Sequence, residues 1–190
     1  MKIYKLKFDV NKYESFEVNE PVTAEFYQKF DGSSLKDKWK KLKVRRMEPE
    51  KRLDLGEAPG FVTPVFNVKA RNVLAPLIEG HVEYLPLDLD GTEYYAVNVL
   101  TVIDAIDYEK SEYVKFSNGR IMCFEEYSFI RDKLKGINIF KIPDERRGFA
   151  FVSEAFKDAI EDNQLRGFKL ECVWELHDEC MHFLESRERR

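Results

Sequence analysis

The chain has 190 residues, of which 44% are hydrophobic and 14% aromatic. That is far from a disordered composition and enough for one ordinary domain or two small lobes. Its 31 Lys and Arg nearly cancel its 35 Asp and Glu, leaving −4, so the molecule lacks the overall field of a dedicated nucleic-acid or membrane-surface binder.

The opening MKIYKLKFDV has no continuous apolar run and no cleavage site, and no stretch approaches the roughly 18 apolar residues of a membrane span. A cytoplasmic protein without membrane association is expected. Cys123, Cys172 and Cys180 are odd in number and widely spaced, which fits neither a disulfide framework nor a paired zinc motif.

In chain order, KIYKLKF alternates apolar residues with lysines and predicts a strand over 2–8 with one wet face. Pro21 and Thr23 begin a helix of one or two turns, which Asp31-Gly32 stops. Residues 36–52 hold nine Lys or Arg against three acids, with a short strand at Trp39, Leu42 and Val44. This basic strand is expected at a sheet edge, where lysines discourage aggregation. The Gly- and Pro-rich DLGEAPGFVTP is the expected internal boundary.

Val68, Val73, Leu74, Leu77 and Ile78 recur at helical spacing and Gly80 supplies the stop. A strand from Val82 to Leu87 follows, and the Asp90-Gly91 turn makes Leu85 to Val99 a hairpin. Asn118-Gly119 marks a second hairpin of the same kind. INIFKI is a strand, and FVSEAFKDAIEDNQLRGFKLECVW is strand, helix capped by Ser153 and stopped at Gly167, then strand. Two helix-strand units of this sort are expected on one central sheet. The expected fold class is α+β, a mixed and mostly antiparallel sheet flanked by two or three helices. Residues 1–176 form a single domain in this reading, and 177–190 a charged C-terminal helix or tail.

Asp104, Asp107, Glu109 and Glu112 would have to converge in a cleft to divide acid and base roles. Strand alternation sends Asp104 and Asp107 to opposite faces, and solvated acids at a strand end are the expectation. Cys172, His177, Cys180 and His182 are ligand types that zinc accepts, yet on a helix Cys180 and His182 lie about 200° apart. No metal site is expected. Ser111 and Ser153 have no triad context with His81, His177 or His182. No glycine-rich phosphate motif occurs, so no cofactor is expected. The 36–52 stretch has one aromatic, Trp39, and no nucleic-acid-binding signature.

Several phrases align in order: APGFVTPVFNVKARNVLAPLIEGHVEYLPL, YYAVNVLTVIDAIDYEKSEY, IFKIPD and FVSEAFKDAIEDNQLRGFKLECVW. Together, from about Trp39 to Trp174, they resemble the bacterial immunity proteins of polymorphic toxin systems, the family called immunity protein eleven. The residues carrying the resemblance are Glu83 with Pro86 and Leu87, Asn98, Asp107 with Ser111, Phe140, Phe151 to Ser153, Gly167-Phe168 and Trp174. FNVKA departs from it by lacking a serine before the first helix, with Asn67 as an equivalent cap. The resemblance implies a non-catalytic protein that binds and neutralises a cognate protein toxin, one expected to be encoded nearby. Tyr94, Asp104, Asp107, Tyr108, Glu109, Glu112 and Tyr113 are the expected partner-binding patch: tyrosines supply rigid contact area and acids complement a basic toxin face. The competing readings are an enzyme using the acidic cluster, a nucleic-acid accessory protein using the basic stretch, and a self-assembling subunit of a secretion apparatus.

Overall fold

The computed structural model describes residues 1–176 other than Val22 and Arg52, and the expected tail at 177–190 lies outside the described residues. The strands are β1 (Lys2–Phe8), β2 (Phe16–Val18), β3 (Leu42–Arg46), β4 (Val65–Asn67), β5 (Val82–Leu89), β6 (Thr92–Val99), β7 (Glu112–Lys115), β8 (Ile121–Glu126), β9 (Ile139–Phe140), β10 (Phe151–Ser153) and β11 (Phe168–Glu175). The helices are α1 (Ala24–Gln28), α2 (Val68–Ile78) and α3 (Glu154–Asp162). Sheets run β11-β1-β10-β9, β2-β3-β5-β6-β4 and β7-β8. Among the strands of the described residues only β3–β5 pairs parallel, so the expected α+β class with a mixed, mostly antiparallel sheet holds.

Two units share one plan. β4 and β5 each pair antiparallel with β6, which therefore lies between them, and α2 carries the chain from β4 to β5. Likewise β10 and β11 flank β1, with α3 as the crossover. In each unit the last strand residue caps the helix. Asn67 Oδ1 accepts from Ala70 N at 2.9 Å and Ser153 Oγ accepts from Phe156 N at 3.2 Å, satisfying an N–H the first turn leaves unpaired. The units occupy two sheets rather than the one expected, because the strand inserted in the second is the N-terminal β1. The sheets meet through a parallel bridge, Val102↔Lys141.

The helices share their core with both sheets: Leu74 and Ile78 of α2, Phe156 and Ile160 of α3, Leu6 and Val152 of one sheet, Phe66 and Val97 of the other. A second core, with Ile3, Phe129, Phe140 and Phe151, packs beneath β7-β8 through Phe124. Ordinary alternation along β1 sends Ile3 into this second core and Tyr4 and Leu6 into the first, while the pairing with β11 carries an extra β11 residue opposite Ile3 and Tyr4. The face expected to be wet is so only in part: Ile3 is buried there, while Lys5 and Lys7 are half-buried and line a groove. A third core gathers Phe16, Phe30, Val44, Leu87 and Tyr94.

Three other expectations change. β3 lies inside its sheet, between β2 and β5, and Trp39 precedes it. The segment 56–60 is buried rather than a boundary. Glu57 N and Ala58 N donate to Arg166 O, and Gly60 N donates to Glu14 O at 3.0 Å. At Asp90-Gly91 both residues have positive φ, 49° and 86°, as a two-residue hairpin turn needs. At the second hairpin Gly119 alone does, and Gly119 N donates to Phe116 O at 3.0 Å. That loop is a longer type.

Candidate partner-binding face

The expected strand across Asp104 and Asp107 does not form, because β6 ends at Val99. Beyond it the backbone turns to a new partner: Lys141 N donates to Thr101 O and Ile103 N to Lys141 O, each at 2.8 Å. Ala105 and Ile106 are buried in the second core and hold the segment down. Before them Asp104, and beyond them Tyr108 and Glu109, are exposed.

Residues 107–111 form a turn stitched to the strand beyond. Ser111 N and Ser111 Oγ both donate to the Asp107 carbonyl, at 3.0 and 2.8 Å, while Asp107 N donates to Ser128 O at 2.9 Å. Ser111 Oγ in turn accepts from Ser128 N at 2.9 Å. Ser111 thus works as a structural clasp. The Asp107 carboxylate sits 3.3 Å from the Lys110 ammonium.

Tyr108 donates its phenol to Asp144 at 2.7 Å, and its ring stands edge-on to Tyr113 at 6.1 Å. Partial burial, then the Asp144 carboxylate, raise the Tyr108 phenol above its ordinary range. Tyr113 rests in turn on Phe124 at 5.7 Å, which ties the turn to the β7-β8 hairpin and the core below. Glu112 pairs directly with Glu126 across the hairpin.

Six of the seven expected residues, Asp104, Asp107, Tyr108, Glu109, Glu112 and Tyr113, thus share one turn and strand. Tyr94 does not join them. It is 5% exposed in the third core, edge-on to Phe16 at 4.9 Å. Sequence reasoning passed over four residues of the same hairpin: Glu125 and Glu126, and the apolar Phe116 and Met122, which are 48% and 51% exposed. Apolar side chains left exposed beside a hairpin turn are the signal that marks them.

Beside the hairpin a groove of about 600 Å³ runs between β8 and β11, lined by Glu125, Glu126, Glu171 and Trp174. At its floor Tyr127 donates to Glu145 at 2.9 Å and accepts from the Lys5 ammonium at 2.5 Å. Burial, then Glu145, hold the Tyr127 phenol well above its usual range.

Among the described residues no hydrogen bond or ion pair joins Asp104, Asp107, Glu109 and Glu112 to one another. No cluster of three metal-ligating side chains occurs among them either, while His177, Cys180 and His182 lie outside them. Ser153 is occupied as a helix cap and as donor to Asn138 Oδ1, and His81 Nδ1 pairs with Thr101 Oγ1 at 2.8 Å. In the basic stretch Trp39 donates to Pro86 O at 3.0 Å, its ring 6.1 Å from both Phe26 and Phe30.

The fold and this face describe an α+β protein whose acids and aromatic rings are spread over a surface instead of converging in a cleft. Residues 81–174 match the sequence model of Imm11, the immunity protein family, so this span carries the immunity-family sequence. A comparison with curated proteins gives no match. The match starts at His81, not at Trp39, so α2 and the buried loop before it lie outside it.

The residues that carried the resemblance hold the scaffold. Buried Glu83 accepts from Ser34 Oγ at 2.9 Å, Leu35 N at 2.5 Å and Asn98 Nδ2 at 2.7 Å. Phe140 stacks on Phe151 at 5.5 Å, and Trp174 stands edge-on to Phe129 at 5.8 Å. Gly167 has φ 96°, and a Cβ there would lie 2.5 Å from the Ala58 carbonyl oxygen. No helix among the described residues is long and apolar enough to cross a membrane.

Proposed function

We propose that this chain is a cytoplasmic immunity protein that binds and neutralises a cognate toxin, encoded nearby, by protein–protein contact and without catalytic turnover. The observation that carries the reading is the immunity-family match over 81–174, a span that contains the whole acidic and aromatic hairpin face. Glu109, Glu112, Glu125 and Glu126 complement a basic surface and speed encounter with it. Phe116 and Met122 supply apolar area that only a partner would bury. Tyr108 and Tyr113 are held by Asp144 and Phe124 before any partner arrives, so little ordering cost remains at binding. Tyr94, buried in another core, is left out of the proposed face.

The test is charge reversal, Glu109→Lys with Glu112→Lys, measured as association kinetics with the toxin at low and high salt. Association is expected to slow by about tenfold or more at low salt, and its salt dependence to flatten. Unchanged kinetics in a folded variant would remove this face from the proposal.

A further inference from the structure

On a different part of the molecule, the end of β1, the 61–64 loop and the 147–150 loop enclose a recess of about 470 Å³, a volume within the roughly 300–1,000 Å³ of small-molecule sites. Phe8, Phe61 and Phe149 line it. Phe149 and Val10 at its mouth are 46% and 54% exposed. The charged side chains lining it are Lys7, Arg147 and Lys169, with no acid among them. Lys7 shares its charge with Glu171 and lies 5.6 Å over the Phe149 ring. Arg147 acts at longer range on Asp31. Among the described residues neither Arg147 nor Lys169 makes an ion pair.

An apolar hollow bordered by three cations, against one shared carboxylate and one more distant acid, selects both halves of a ligand. The rings favour an apolar body. Cations beside a low-dielectric wall favour a negative head, and favour it more than they would in bulk water. We infer that this recess binds a small amphipathic monoanion, a carboxylate on a short aliphatic or aromatic body. No residue of the 104–126 face lines it, so the inference stands apart from the proposed toxin contact.

The experiment titrates the isotope-labelled full chain with octanoate, octanol and octylammonium, and follows backbone amide shifts. Octanoate is expected to saturate shifts at Phe8, Phe61, Gly148 and Phe149, with octanol about tenfold weaker and octylammonium not saturating. Arg147→Glu combined with Lys169→Glu is expected to weaken octanoate about tenfold while leaving octanol unchanged, which separates lost charge from lost fold. Octylammonium binding as well as octanoate, or octanoate affinity unmoved in the double variant, would overturn the inference. So would saturation of these amides by a short acidic peptide with octanoate inert, which would assign the recess to another polypeptide.

Discussion

Lys141 is 2% exposed, and its ammonium donates to Phe30 O at 2.6 Å and Arg146 O at 2.9 Å, with no ion pair to a carboxylate among the described residues. Burial lowers its pKa to about 8, with Asp31 partly opposing. The unfolded chain therefore binds more protons than the folded one between about pH 8 and the ordinary lysine value, so stability rises with pH across that window. Urea unfolding at pH 7, 8, 9 and 9.5 is expected to show a climb of up to about 2 kcal/mol. In Lys141→Met the climb is expected to vanish. A climb that survives the substitution would assign the effect to another group. From about pH 10 the sign reverses. Tyr84, raised to about 12, and Tyr108 and Tyr127, also raised, stay protonated when folded and ionise when unfolded. Gly167→Ala combines a positive φ with a clash against the Ala58 carbonyl. It is expected to cost about 2 kcal/mol or more in chemical denaturation, and an unchanged midpoint would mean that the 56–58 loop yields.

At the scale of elements, the paired caps give a graded prediction. Asn67→Ala removes one hydrogen bond to α2 and is expected to cost about 1 kcal/mol. Ser153→Ala also strands Asn138 Oδ1, which it reaches at 2.7 Å, and is expected to cost more. Equal losses in thermal denaturation would count against the Asn138 contact. These caps were legible in the sequence because a cap is local: Asn67 and Ser153 each precede a helical apolar pattern by one residue. The Asp90-Gly91 turn was legible for the same reason. What could not be read depends on partners far along the chain. β1 meets the helix-bearing core through Tyr4 and Leu6 and the second core through Ile3, so a strand that looks amphipathic buries residues on both faces. β3 looked like an edge because its lysines are plain in sequence while its pairing with β5 is not. The α3 stop was assigned to Gly167, yet Gln164 takes the left-handed φ of 51°, and Gly167 serves tertiary packing against Ala58. Of the candidate face, the contiguity of Asp104 to Tyr113 is plain in the sequence, whereas the burial of Tyr94 in another core is not, because alternation cannot say which core a face meets.

At the scale of the molecule, charge is divided. Residues 36–52 concentrate nine of the 31 basic residues with only three acids, and the rest of the chain is correspondingly acidic. The hairpin face draws on that acidic remainder and sits on an aromatic core of Phe124, Phe129, Phe140 and Phe151. A rigid base beneath an exposed acidic rim suits preorganised recognition. The most direct measurement is co-expression of this chain with its proposed toxin, sought first among the proteins encoded nearby, in a sensitive host, scored for survival and for a complex that co-purifies. The account predicts rescue with a stable complex, and loss of both when Glu109→Lys and Glu112→Lys are combined in a chain that still folds. Absence of rescue and complex with both proteins folded would contradict it, leaving the family match over 81–174 without the immunity function.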